Sequence, residues 1–240
     1  MYRDHKFVVI APCFNEEQKI VHVIDRIKAI GIADEILVVD DGSSDRSAER
    51  AELAGAKVIR MNAVTGVGAA LRKGFEYARD QFDIIVVIAG NNKDEPQEIK
   101  RLLDPIIDGK AEFVQGSRFL AGGKYGGDMP AYRKWATRLH PLLFSLATGR
   151  RVTESTNGFR AFRSRLLDDP RINLGQSWLN AYELEPYLYY KVVKLGYPFA
   201  EVPVTKIYPP KKIGYTKMKP ITGWWSILRP LFLLWFGIRH

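Results

Sequence analysis

Short apolar runs, regularly spaced and separated by helical periodicity, constrain the fold of this chain more than any other feature. They stand at residues 7–11 (FVVIA), 36–39 (ILVV) and 84–88 (IIVVI), with a more mixed one near 57–61 (KVIRM). Unbroken runs of this length read as parallel strands covered on both faces, because a strand with one wet face would alternate. After the first run, Ile20, Val23, Ile24, Ile27 and Ile30 mark one face of a helix. Asn15 reads as its N-cap, with Gln18 three places on, and Gly31 as its stop. Helices are also expected over 45–54 and 67–79. Pro96 opens another with Ile99, Leu102, Leu103 and Ile106 inward, and a short strand begins at 113–114. The fold class is therefore α/β: a mostly parallel, Rossmann-like sheet with helices on both faces.

Such sheets bind ligands beyond the carboxyl ends of their strands. The polar clusters fall there: Asn15-Glu16 after the first strand, Asp40-Asp41 after the second, residues 91–94 after the fourth. Asp40-Asp41-Gly42-Ser43 offers carboxylates to a nucleobase or to ribose hydroxyls; alternatively it is an Asx turn capping the next helix. Residues 66–74 (GVGAALRKG) form a glycine-rich helix entry with Arg72 and Lys73, suited to a diphosphate or simply to close helix packing.

The second half is less regular. Residues 182–195 read as a helix and 199–207 as an alternating strand. Lys and Arg outnumber Asp and Glu by 36 to 27, a net charge of +9. The excess is local: residues 116–165 hold ten basic and two acidic residues, and after Glu201 there are seven Lys or Arg and no acid. Such a surface suits polyanions, anionic lipid or phosphorylated substrates. No motif of a nucleic-acid-binding fold accompanies it, so nucleic acid is not expected as a partner. The single cysteine, Cys13, suits a reducing compartment. The first twelve residues lack the apolar core of a signal peptide. His5, His22, His140 and His240 are scattered without metal-ligand spacing and read as structural or surface residues.

Residues 221–238 (ITGWWSILRPLFLLWFGI) are nearly all apolar, but Arg229-Pro230 interrupts them, whereas a spanning helix wants about 20 uninterrupted apolar residues. With Trp224, Trp225 and Trp235, and lysines just before, the segment reads as an amphipathic membrane-interface element, or else as a terminal helix packed on the domain or on a second subunit. The expected organisation is one domain over 1–219 and this appendage over 220–240.

Five segments taken together are more specific: FVVIAPCFNEE (7–17), ILVVDDGSSDRS (36–47), GVGAALRKG (66–74), GSR (116–118) and STNGFRAFR (155–163). Their order and spacing resemble glycosyltransferase family 2, most closely its dolichyl- or polyprenyl-phosphate sugar synthase branch, and the likeness spans nearly the whole chain. The resemblance implies the GT-A fold, a nucleotide-diphosphate-sugar donor and an inverting mechanism. It implies that Pro12, Asn15 and Glu16 line the nucleotide pocket, that Asp40 and Asp41 hold base and ribose, and that Arg72 and Asn91 also face the nucleotide. It places Arg118, Arg160 and Arg163 at the acceptor phosphate, Arg118 facing it or the donor diphosphate. Glu154 stands where the family usually has Asp, and Lys217 resembles the lysine of a Ser-Lys pair over the donor phosphates. Asp94, Arg118, Glu154, Arg160 and Lys217 are thus the expected catalytic set.

One departure is large. Where the family carries Asp-x-Asp, counting back from Pro96 gives Ala89-Gly90-Asn91. Mg²⁺ and Mn²⁺ favour carboxylate oxygen. The resemblance implies such a cofactor; with only Asn91 and Asp94 to hold it, weaker metal binding is expected, or a metal held chiefly by the donor diphosphate. Arg or Lys can instead neutralise the leaving group. A phosphate monoester acceptor has a second pKa of about 6 and needs no base, whereas a sugar hydroxyl would need one of Asp94, Glu154, Glu183 or Glu185. The expected function is transfer of a hexose-type sugar to a polyprenyl phosphate by a peripheral protein on the cytoplasmic face of the membrane. The rivals are transfer to a sugar hydroxyl of a glycan or glycolipid, and a non-catalytic sugar-nucleotide-binding subunit. The sequence names neither the sugar nor the base, and it leaves a homo-oligomer open.

Overall fold

A computed structural model describes residues 1–129, 131–209 and 222–239. Its central sheet has seven strands in the order β3-β2-β1-β4-β7-β5-β8. These are β1 (Phe7–Cys13), β2 (Glu35–Asp40), β3 (Lys57–Arg60), β4 (Ile84–Val87), β5 (Phe113–Ser117), β7 (Arg160–Arg163) and β8 (Phe199–Pro203). The first four strands are mutually parallel. The exception is β7, antiparallel to both β4 and β5 and wedged between them. Two further strands, β6 (Lys124–Gly127) and β9 (Thr205–Tyr208), pair with each other in a small parallel sheet. The single strand expected over 199–207 is therefore two, leaving the main sheet after Pro203.

Both faces are covered, which is why the strand sequences are continuously apolar. Along β1, Val8 and Ile10 enter one core with α3 (Val67–Ala78), α6 (Leu184–Lys194) and α7 (Thr222–Trp235), while Phe7, Val9 and Ala11 enter the other with α1 (Ile20–Lys28) and α4 (Ile99–Ile107). The remaining helices are α2 (Ser47–Leu53) and α5 (Ala131–Thr148). Asn15 is not the cap of α1. The helix begins at Ile20, and Asn15 instead adopts a positive φ of 48°.

The C-terminal segment is helical through Pro230 and packs on α5 and α6, with Trp224, Ile227, Pro230, Leu231 and Leu234 buried. The charge that interrupts its sequence is bound: Arg229 donates to Glu183 Oε1 (2.6 Å) and to the Trp178 carbonyl (3.1 Å). Its other face leaves Trp225, Phe232, Trp235 and Phe236 exposed. Among the described residues, no helix is long and apolar enough to cross a membrane.

Candidate active site

The carboxyl ends of β1, β2 and β4 open onto a cavity of about 910 Å³. At one end its wall is the β1–α1 turn, stitched to the β2–α2 turn by reciprocal bonds. Asn15 N–H donates to Ser43 Oγ (2.8 Å), Ser44 N–H to Asn15 Oδ1 (2.8 Å), and Glu16 N–H to Ser47 Oγ (2.7 Å). The positive φ of Asn15 turns its backbone into this arrangement, a conformation Asn tolerates better than most residues. Asp41 accepts from Thr65 N–H (2.8 Å), Thr65 Oγ1 (2.9 Å) and Gly66 N–H (2.9 Å). Pro12, Asn15, Glu16 and Asp41 all line the cavity.

Asp40 does not line it. Its carboxylate accepts from Ser43 N–H and Ser43 Oγ, so it braces the turn. The glycine-rich helix entry is used for close packing. A Cβ on Gly66 or Gly68 would fall 2.4 Å from Asn180 O or 2.1 Å from Leu179 O. Ala69 N–H donates to Asn180 O (3.0 Å), so part of the helix N-terminus is satisfied by this loop rather than left for a diphosphate. Arg72, expected at the nucleotide, holds the same loop through Asn180 Oδ1 (2.9 Å) and Gln176 O, off the cavity wall.

The other end of the cavity is assembled from distant segments: Asn91 and Lys93 after β4, Arg133 of α5, Ser155 and Thr156, Arg160 of β7, Tyr182, Glu185 of α6, Lys206 and Tyr208 of β9, and Ile227 of α7. Lys206 Nζ donates to Asp94 Oδ1 (2.6 Å) and Asn157 Oδ1 (2.9 Å). Burial first, then the charges of Lys206 and Arg133, lower the Lys93 pKa to about 7. Arg160 donates to the carbonyls of Asn157 (2.6 Å) and Glu185 (3.2 Å) and pairs with the Glu185 carboxylate (3.2 Å).

Behind this wall lies a second layer. Arg118 Nε donates to Glu154 Oε2 (2.7 Å), and both side chains are almost wholly buried and off the cavity. Burial would raise the Glu154 pKa, but the adjoining Arg118 guanidinium more than compensates and the net direction is down. Glu154 Oε1 also accepts from Ser155 N–H, Thr156 N–H and Thr156 Oγ1, fixing the segment that reaches the cavity. Beside it, His140 joins Ser155 Oγ (2.7 Å) to the Ile227 carbonyl (3.2 Å), and burial lowers its pKa to about 4.

The expected residues are thus divided. Pro12, Asn15, Glu16, Asp41, Asn91 and Arg160 meet at the cavity. Arg118, Glu154 and Asp94 are buried behind its wall and do not line it. Arg163 is removed from it altogether: it pairs with Ile84 at the opposite end of β4 and donates to the Ile106 carbonyl (2.8 Å). Lys217 lies outside the described residues. Sequence reasoning missed Lys93, Arg133 and Lys206. A signal existed for one of them: Lys93 sits inside the polar cluster after the fourth strand, residues 91–94.

Among the described residues, no cluster of three or more His, Cys, Asp or Glu could hold a metal. Asn91 Oδ1 and Asp94 Oδ2 are both buried without a hydrogen-bond partner, and the other Asp94 oxygen is bound to Lys206. One amide oxygen and one carboxylate oxygen shared with a lysine pair suit a Mg²⁺ or Mn²⁺ that arrives on a diphosphate and keeps its waters, but not a metal caged by protein alone.

The chain matches the pattern described as glycosyl transferase family 2 over residues 8–169. It is 28% identical over 222 residues to an undecaprenyl-phosphate mannosyltransferase of Micrococcus luteus, covering 89% of this chain and 87% of that one. It is 30% identical over 226 residues to a polyprenol monophosphomannose synthase of Mycolicibacterium smegmatis, covering 88% and 80%. The fold resembles that of glucosyl-3-phosphoglycerate synthase from Mycobacterium tuberculosis, solved with Mn²⁺, uridine diphosphate and phosphoglyceric acid. The TM-score is 0.72 at 22% identity, covering 99% of this chain and 80% of that one. The expected GT-A-like sheet is therefore the architecture found.

Proposed function

This chain belongs to glycosyl transferase family 2 and is a glycosyltransferase, and from that premise we propose that it transfers a sugar from a nucleotide diphosphate to a polyprenyl phosphate with inversion. The relatives named for undecaprenyl- and polyprenyl-phosphate transfer support the acceptor class. One observation carries it for this chain: of the four acids considered as a general base, only Glu185 lines the cavity, and it is paired with Arg160. Asp94, Glu154 and Glu183 are bound to Lys206, Arg118 and Arg229. A sugar hydroxyl requires a base, while a phosphate monoester, with its second pKa of about 6, does not.

In this reading the β1–α1 and β2–α2 turns, with Asp41, receive the nucleoside, and Arg160 and Arg133 receive the acceptor phosphate. Where a divalent cation comes in on the diphosphate, Asn91 is the residue that would meet it, and the cation would add to the positive charge the cavity wall already supplies. Residues 1–219 form the catalytic domain, and the segment over 220–240 helps seat it on a membrane. The surface next to the site supports that seating. Trp135, Leu139, Leu142 and Leu146 form an exposed stripe on α5, the helix against which α7 packs, and neither helix contains an acidic residue. Lys134 and Arg138 on α5, with Arg150 and Arg151 beyond it, suit anionic lipid.

The test offers purified protein a donor sugar together with a short polyprenyl phosphate or a glycolipid bearing only hydroxyls. A sugar-phosphate glycolipid, still formed by the Glu185→Gln variant, is the expected product. A hydroxyl-linked product that disappears in Glu185→Gln would replace this reading with the glycan or glycolipid acceptor. Flotation with anionic vesicles, lost in a Trp135→Ser/Leu142→Ser variant, tests the membrane surface.

A further inference from the structure

Lys93, two residues beyond Asn91, lines the cavity together with Lys206 and Arg133, and the charges of both reach it. Lys93 is 8% exposed, with its ammonium 4.9 Å from the centre of the Tyr208 ring. The loop that carries it is docked against β9 by the Asp94–Lys206 bridge and by Ile207 N–H donating to the Lys93 carbonyl (2.8 Å). An ammonium has three N–H donors, and Lys206 gives two of them to Asp94 and Asn157, which leaves one for a ligand. The cavity wall therefore carries its own positive charge beside Asn91, a neutral amide where a metal site would favour a carboxylate.

We propose that Lys93, seated by the Asp94–Lys206 bridge, neutralises the donor diphosphate in place of a divalent cation, so that this chain binds nucleoside diphosphates and transfers sugar without needing a metal. The inference rests on the donor class proposed above. In the transfer, the bond from the anomeric carbon to the diphosphate oxygen breaks and its electron pair stays on that oxygen. A lone pair of the acceptor oxygen forms the new bond to carbon. With a phosphate dianion as acceptor no proton moves: the departing diphosphate gains one negative charge and the acceptor loses one. A bound diphosphate favours the protonated form of Lys93, and positive charge aimed at that gain stabilises the transition state more than the ground state.

Calorimetric binding of UDP and GDP separates this from ordinary metal dependence, and it does not involve the acceptor. The unaltered protein is expected to bind one of the two within about threefold as tightly in EDTA as in Mg²⁺ or Mn²⁺. Lys93→Gln should weaken binding in EDTA by about tenfold or more, the loss of one charge-assisted contact, and Lys93→Arg should restore most of it. Uridine or guanosine alone, lacking the diphosphate, should bind all three proteins alike. Binding by the unaltered protein that vanishes in EDTA and returns with Mg²⁺ overturns the proposal, as does unchanged binding by Lys93→Gln. Should Lys93→Gln melt early, the metal comparison on the unaltered protein decides alone. Failure of both diphosphates to bind under any condition would instead overturn the donor reading, and this proposal with it.

Discussion

The two ends of the cavity are built by different means. At the end beside β1 and β2, proposed above for the nucleoside, two neighbouring turns satisfy each other through backbone N–H groups, and every partner lies within about thirty residues along the chain: Asn15 with Ser43 and Ser44, Asp41 with Thr65 and Gly66. At the other end the wall is a set of side chains brought together over long separations. Asp94 meets Lys206 across 112 residues, and His140 meets Ile227 across 87. The first kind of site is held by local backbone geometry. The second depends on buried charges and on the packing of α5, α6 and α7, and so should be more sensitive to charge removal and to pH.

Breaking the second end should have the largest effect. Glu154→Gln leaves Arg118 buried without its carboxylate, and removal of one partner of a buried pair costs about 3–5 kcal/mol. Denaturant unfolding checks this, and the nucleoside affinity of the folded fraction should be little changed. Acid comes next. His140 has its pKa lowered to about 4 by burial, against an unfolded value of 6.5. Its contribution is therefore complete above pH 6.5 and is lost as pH falls toward 4, on the order of 3 kcal/mol in all. Urea titrations at several pH values should show that slope in the unaltered protein and a flatter one in His140→Gln. Breaking the nucleoside end should be milder. Asp41→Asn replaces one accepting oxygen with an NH₂ facing an N–H donor, a loss of about 1–3 kcal/mol, read here as weaker binding of nucleoside and nucleoside diphosphate alike. The smallest effect belongs to Arg163→Gln. It removes one bond to a carbonyl at the far end of the sheet, so stability should fall by about 1 kcal/mol and donor binding should not change.

The same contrast explains how much could be read in the sequence. The α/β alternation was legible because each element carries its own period, and the cavity mouth followed from where strands end. Asp41, Asn15 and Glu16 were legible because strand-end clusters are local. Asp40 and Arg72 were misplaced because neighbouring residues in a turn face different ways: Asp40 braces Ser43 while Asp41 reaches the cavity, and Arg72 turns to Asn180. Arg160 and Arg163 lie on one strand, but in an antiparallel β7 three residues carry the second one toward the opposite end of the sheet, and the chain alone does not show that β7 runs backwards. Lys93 and Lys206 gain meaning only when β9 docks on the loop after β4, which no local pattern predicts. Of the two readings of the C-terminal segment, packing on the domain is the one seen: α7 buries one face on α5 and α6 and leaves aromatic side chains exposed on the other.

The most direct test of the account is release of nucleoside diphosphate from a panel of UDP- and GDP-sugars, with and without a short polyprenyl phosphate in detergent, in Mg²⁺, Mn²⁺ or EDTA. The account predicts release from one donor class that rises with the lipid phosphate and persists in EDTA. Donor binding without release, whatever the acceptor or metal, would contradict it and leave a sugar-nucleotide-binding protein on a glycosyltransferase fold.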